Sequence, residues 1–535
     1  MNNKLRLTGK RWVLLFTLFV LIVTSIPYAF GLFKQGDDWR FTGFVFGVED
    51  GNSYLAKMNR GSAGEWLFKS PYTSTQQKGV IAFLPYILLG KAAVFPVEQH
   101  TQLLIIFHLF RLGAGAAMIF ATYDFLCVFV RGVKWRRVSL AVIILGGGLG
   151  WMLVSYGKVK WLGSIPLEFT SPESFGFLAL YGLPHLAMAR ALLLWGLKEF
   201  LVGKRIYGPG LLWLSSGFFQ PLSVIIAWVV SGTYVLILLI QGHRSRNERM
   251  LTELFFLKKN LEWLLVNVFI SCPLVIYTVI RFRMDAYLRA WTSQNQIISP
   301  HPAHYFIAYG LMAVFFVRGI KQIRKEHRYR GWLIIGWVAV VPILVYLPTV
   351  IQRRLAEGVW VAVVILAVKA FEGGEGKLPK EWAYSWVFVF PTSVLLIIGG
   401  IQTACFLSPP VFRPTAEVEA FRYLKDEAVK NSVVLTSHET GNVLPAWVPV
   451  HVVLGHGPET ANYDLVSQKM ESFYGAQTTA QNRIQILDEF NVDYVFWGPA
   501  EKAIGDWDPE ETDIISPGYD QGPYKIYDVK SERVE

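Results

Sequence analysis

The sequence predicts a polytopic α-helical membrane protein with a small C-terminal extracytoplasmic α/β domain. Hydrophobic residues make up 53% of the 535 positions and charged residues only 17%, and many separate apolar runs have membrane-spanning length. The third observation is a charge split. From Arg413 onward 10 Lys or Arg stand against 21 Asp or Glu, a balance of −11, so the chain's net +11 leaves +22 on the rest. A basic membrane body over residues 1–408 thus precedes an acidic domain over 409–535.

Taken in order, the first apolar run, Trp12 to Phe33, is too long and too poor in a small-residue cleavage site for a removable signal, so it reads as a retained helix. A polar outer loop, 34–78, follows. Between Lys78 and Val130 two apolar runs are split by PVEQHT. Either Lys78–Phe95 dips into the outer leaflet and returns, giving about 11 spans, or Thr101–Val130 holds two short helices, giving 13, the preferred reading. Later spans are expected near Leu140–Ser155, Phe177–Leu201, Leu211–Gln220, Leu222–Ile240, Leu261–Ile280, Tyr305–Val317, Trp332–Tyr346, Val359–Ala370 and Trp386–Phe406.

Basic loops mark the cytoplasmic side. Lys4, Arg6, Lys10 and Arg11, then RGVKWRR, Lys198 with Lys204 and Arg205, HRSRNERM and KQIRKEHRYR are all expected to face inward. The loops 35–77, 157–174, 283–304 and QRRLAEG from Gln352, together with the acidic domain, then lie outside a cytoplasmic membrane. Basic residues scattered over short loops do not form a nucleic-acid face, so no nucleic-acid partner is expected. Cys127, Cys272 and Cys405 lie in apolar segments with neither metal nor disulfide spacing. In the acidic domain, AEVEAFRYLKDEAV and RIQILDEFNV have helical spacing, whereas SVVLTS, HVVLG, DYVFWG and YKIYDV have strand character. SPPVFRPT reads as the linker before it.

The chemistry concentrates in the first outer loop, where Asp37, Asp38, Glu49, Asp50 and Glu65 stand close to the end of a span. Ionisable groups at that position are a functional hypothesis by default. A helix beginning near Gly51 places Tyr54, Lys57 and Arg60 on turns neighbouring Asp50, so that a base and phosphate-binding groups share one pocket. The plainer alternative is that Asp50 caps this helix, and Asp37 and Asp38 read as boundary and solvation residues.

The run EDGNSYLAKMNRGSAGEWLFKSPYTSTQQKGVIAFLPYILLG resembles the first external loop of lipid-dependent membrane glycosyltransferases with the GT-C fold, particularly the aminoarabinose and protein-mannosyl transferase branch. The resemblance rests on Glu49–Asp50 with Tyr54, the turn Gly64–Glu65–Trp66, and Lys78 before the next apolar segment. Gly51 stands where a second acid is usual, and the proline pair after the lysine is absent. It implies a polyprenyl-phosphate-linked sugar donor, a lipid, glycan or protein acceptor, contact with membrane lipids, and Asp50 as the base of an inverting transfer. Lys57, Arg60, Lys78, Arg353 and Arg354 are then candidates for the leaving phosphate. A divalent ion near Asp50 is allowed but not demanded, since the cations could do its work.

Other outward groups suit such a site. Glu173 and His185 stand near the start of a span, although a lone His there is commonly structural. Arg353, Arg354 and Glu357 lie just outside another, where a guanidinium fork suits a lipid phosphate and snorkelling is the alternative. Trp291, Gln294 and Asn295 are of the kind that line sugar sites, or an ordinary loop. His438, Glu439, His456 and Glu459 follow strands of the acidic domain without metal spacing. No P-loop, GxSxG, HExxH or dinucleotide motif occurs. The other function classes are a transporter or flippase of lipid-linked sugars, which needs no base, and a non-catalytic envelope assembly factor.

Overall fold

The computed structural model describes residues 3–244, 250–372, 378–507, 509–511 and 514–529. Part of the basic loop HRSRNERM, 245–249, lies outside the described residues. The chain divides into two compact units, a helical unit of residues 1–26, 110–279 and 297–399, and a mixed unit of 27–109, 280–296 and 400–535.

Among the described residues five helices are long and apolar enough to cross a membrane, with a sixth if the bent pair Ala303–Ala313 and Phe316–Glu326 is one span. The protein is a helical membrane protein. At the heart of the helical unit every residue of the Val359–Lys369 helix is buried, as expected of a helix that is apolar all round. Trp213, Trp337, Trp360 and Trp386 belong to the same core. The helix's one charge, Lys369, is matched by Glu326 at 2.6 Å and Glu372 at 2.9 Å.

Several expected spans are broken helices. Phe177–Leu201 divides into Gly176–Gly182 and Pro184–Val202, and Trp386–Phe406 into a 3-10 segment, Lys380–Val389, and a helix, Pro391–Thr403. In both cases the second piece starts at a proline, which cannot donate to the preceding turn. Leu140–Ser155 divides into Val133–Leu145 and Gly150–Ser155 across three glycines. The opposite correction applies to Thr101–Val130. Instead of two short helices the structure has one, Gln99–Phe129, since the run contains no proline to break it. Lys78–Phe95 holds only the seven-residue helix Leu84–Gly90.

The mixed unit contains two sheets. Strand β1, Trp39–Phe41, pairs antiparallel with β2, Phe412–Pro414, so the stretch read as a linker contains a strand. Its Arg413 is buried and bonds Glu417 at 2.6 Å. The second sheet runs in the order β4-β3-β5-β7-β6, with β3 (Val433–Leu435), β4 (His451–Val452), β5 (Tyr494–Trp497), β6 (Ile515–Gln521) and β7 (Tyr524–Val529). Both neighbours of β3 are parallel to it, while β7 is antiparallel to β5 and β6. Strand β6, ISPGYDQ, was not anticipated, because Pro and Gly interrupt its pattern. The same unit carries the helix Val48–Ser62, which packs backbone to backbone on Leu84–Gly90. A Cβ at Gly61 would stand 2.1 Å from the Ile87 carbonyl oxygen, and one at Gly90 1.8 Å from that of Met58.

Candidate functional site

The Val48–Ser62 helix begins three residues earlier than expected, with Gly47 at its N-cap position. Asp50 is therefore not the N-cap but a first-turn residue, where the helix dipole favours a carboxylate. Its side chain is 56% exposed. His456, from the loop after β4, places Nε2 at 3.3 Å from Asp50 Oδ1. Glu49 is also exposed, and its carbonyl accepts from Asn442 at 3.4 Å.

One and two turns on, the helix turns inward. Lys57 is buried and donates to Glu459 Oε1 at 2.6 Å and to Ser53 Oγ, while Ser53 itself donates to Glu459 at 2.7 Å. Burial pushes the Glu459 carboxyl up, but Lys57 beside it, with His456, outweighs burial and holds it below the usual carboxylate range. Arg60 is buried too, ion-paired with Glu65 and bonded to the Pro449 carbonyl at 3.0 Å. These two cations, expected to bind phosphate, thus already have anionic partners. Tyr54 stacks on Tyr86 at 4.6 Å. In the Gly64–Glu65–Trp66 turn, Gly64 takes φ +98°, Glu65 serves Arg60, and Trp66 lies under the Lys91 ammonium at 4.0 Å. Lys78 is exposed.

The loop carrying His456 is tied down from several sides. The Thr460 amide donates to the His456 carbonyl at 2.8 Å, and the Gly455 amide to Thr460 Oγ1 at 3.2 Å. Tyr287 donates to the Glu459 carbonyl at 3.0 Å, and Gln294 to the Thr460 carbonyl at 2.8 Å. Tyr72 packs its ring 5.6 Å from His456 and donates to the Asn442 carbonyl at 3.1 Å. Burial, then Glu459 and Asp50, push the Tyr72 phenol well above its ordinary value, so it remains a donor. Asn295 ends the Ala286–Gln294 helix and is half-buried; its neighbour Gln294 makes the contacts. Beside this loop a cleft of about 610 Å³ is lined by Thr73, Thr75, Gln76, Asn462 and Asn491, with Lys469 paired to Glu489.

Arg353, Arg354 and His185 belong to the helical unit. There Arg190, buried in mid-helix, bonds Glu357 at 2.6 Å and the carbonyls of Pro172 and Glu173 at 2.6 and 2.8 Å. Arg354 lies 3.6 Å from the Glu173 carboxylate. Among the described residues the buried Nε of Arg353 has no hydrogen-bond partner. His185 is half-buried at the start of the Pro184–Val202 helix. Arg190 escaped sequence reading although a lone arginine inside LAMARALLLWG is the signal that should have found it. Asp37 and Asp38 lie before and beside β1, where the Asp38 carbonyl accepts from the Thr415 amide at 2.8 Å.

Among the described residues no group of three or more His, Cys, Asp or Glu side chains is placed to hold a metal ion. Asp50 and His456 offer two donors there, and Glu459 is engaged by Lys57.

No family model and no curated protein matches the chain in sequence. Solved structures match it in shape. The arabinofuranosyltransferase AftD from Mycobacteria superposes with a TM-score of 0.55 at 12% identity, over 98% of this chain and 40% of that one. ArnT from Cupriavidus metallidurans, bound to undecaprenyl phosphate, gives 0.51 at 10% identity over 97% of this chain and 98% of ArnT. The fold is that of the GT-C membrane glycosyltransferases. A further GT-C structure, the oligosaccharyltransferase AglB from Archaeoglobus fulgidus in complex with an inhibitory peptide and a dolichol-phosphate, gives 0.50 at 10% identity over 91% of this chain and 69% of AglB.

Proposed function

We propose that this protein transfers a sugar from a polyprenyl-phosphate donor to an acceptor hydroxyl on the extracytoplasmic face of the cytoplasmic membrane. The observation that carries the reading is the GT-C fold shared along nearly the whole of both chains with a protein holding undecaprenyl phosphate. Asp50 removes the acceptor proton while the acceptor oxygen attacks the anomeric carbon. The bond from that carbon to the phosphate oxygen breaks, polyprenyl phosphate leaves, and the centre inverts. The exposed Lys78 receives the leaving phosphate, whereas Lys57 and Arg60 shape the helix that carries Asp50. Within the helical unit Arg353 and Arg354 are candidates for binding a lipid phosphate. The acceptor is a lipid, glycan or protein, and the cleft at Asn462, whose amide and hydroxyl groups stand beside Val453, Leu465 and Phe490, suits a polyhydroxyl group with an apolar face.

The same reading sets the topology. With Asn3–Lys34 and Gln99–Phe129 as the first two passes, and each later apolar helix or broken pair as one, the chain crosses 11 times. This parity keeps the N-terminus and every basic loop inside and puts residues 409–535 outside. The test is to supply the purified protein in lipid with a panel of undecaprenyl-phosphate-linked monosaccharides and measure release of undecaprenyl phosphate. Release dependent on Asp50 supports transfer; binding without release overturns it. Topology is tested by a cysteine at Ser467, which should react with an impermeant thiol reagent in intact cells.

A further inference from the structure

We infer that His456 is a positioning residue for the base, holding Asp50 by its Oδ1. The inference rests on the reading of Asp50 as the base. Asp50 stands exposed in the first turn of its helix, and a productive geometry needs its reacting group held in place. The imidazole contributes to that hold. Its side chain is only 9% exposed, its Nδ1 is buried 3.8 Å from Glu459 Oε1, and its Nε2 reaches Asp50 Oδ1.

The surroundings explain why a histidine is needed rather than any ring. The loop is already held by the Thr460, Tyr287 and Gln294 contacts, none of which involves the imidazole nitrogens. Packing against Tyr72 would be served equally by a phenyl ring. What only the imidazole supplies is an N–H donor aimed at an exposed carboxylate from a site too enclosed to swing away. Glu459 in turn is held by Lys57 and Ser53 on the same helix as Asp50. Helix and loop are thereby locked in one register, with Asp50 and His456 at its open edge.

The experiment is a mutant cycle. His456→Phe keeps the ring and removes the donor, and His456→Gln restores an N–H of similar reach. Each is made alone and with Asp50→Asn, and kcat and KM are measured as release of undecaprenyl phosphate from an undecaprenyl-phosphate sugar that the wild type turns over. His456→Phe should lower kcat about 10- to 100-fold, the loss that misplacement of a reacting group produces, with KM for the donor little changed. His456→Gln should recover most of it. In the Asp50→Asn background neither change should matter further, since residues that act as one unit are not additive. If His456→Phe turns over like the wild type while Asp50→Asn is impaired, the inference fails and the base reading stands. An active Asp50→Asn enzyme overturns both. Equal losses in the two backgrounds, or a change confined to KM, would make His456 merely structural. Should the phenyl ring prevent folding, His456→Leu makes the same comparison.

Discussion

In the mixed unit, buried charges balance around Lys57 and Glu459 and a carboxylate, Asp50, is left in the open. In the helical unit they balance around Arg190 and Glu357, and among the described residues the buried Nε of Arg353 has no hydrogen-bond partner. Buried ion pairs contribute little net stability because desolvation offsets their attraction. Their use here is geometric. Each pair fixes the backbone around it, on the helix that carries Asp50 in the mixed unit and beside Glu173 in the helical unit.

The largest expected effect tests the first half of that contrast. Asp50→Asn keeps the shape and removes the proposed base, so turnover should fall about 100- to 10,000-fold, while melting temperature and donor-lipid binding stay close to wild type. Asp38→Asn should cost much less. An Asp50→Asn protein that transfers sugar at the wild-type rate removes the central claim.

Next comes the support beneath Asp50. Lys57→Met leaves Glu459 buried and uncompensated, which should cost roughly 3–5 kcal/mol of stability, read as a lowered melting temperature in detergent. Replacing both partners by Met and Leu should cost clearly less. Arg190→Met in the helical unit should behave like Lys57→Met; if only one of the two destabilises, the two pairs are not equivalent.

Acid should distinguish the units further. Burial, then the nearby Arg60, lower the His451 imidazole from 6.5 to about 4. The unfolded chain therefore takes up the proton first, so His451's contribution is complete above pH 6.5 and is lost as pH falls through about 4. The loss amounts to about 3 kcal/mol by linkage. His451→Gln should flatten the stability profile over that window; an unchanged profile places the acid sensitivity elsewhere.

The smallest effect belongs to the guanidinium pair. Neutralising Arg353 and Arg354 with Gln should weaken binding of a polyprenyl-phosphate sugar by roughly 1.5–3 kcal/mol, the value of a lost charge-assisted contact. Donor binding at wild-type strength in the double variant would move the phosphate receptor to other cations.

Composition and periodicity were sufficient for the kind of protein this is. Apolar runs of spanning length must become helices in lipid, because every backbone donor has to be satisfied within its own segment, and the prolines at 184, 221 and 391 mark where those helices break. The β-branched runs of the acidic domain likewise specify β3, β4, β5 and β7 by local preference alone. Asp50, Lys57 and Arg60 were legible as a cluster because they share one helix. Their division of labour was not. Lys57 is claimed by Glu459 from 402 residues away and Asp50 by His456 from 406, and no local spacing encodes such a meeting. Which charge is spent on a buried partner and which remains exposed is decided only when packing sets the cost of desolvating each one. That decision, made by tertiary structure, separates the supports of the site from the group proposed to do the chemistry.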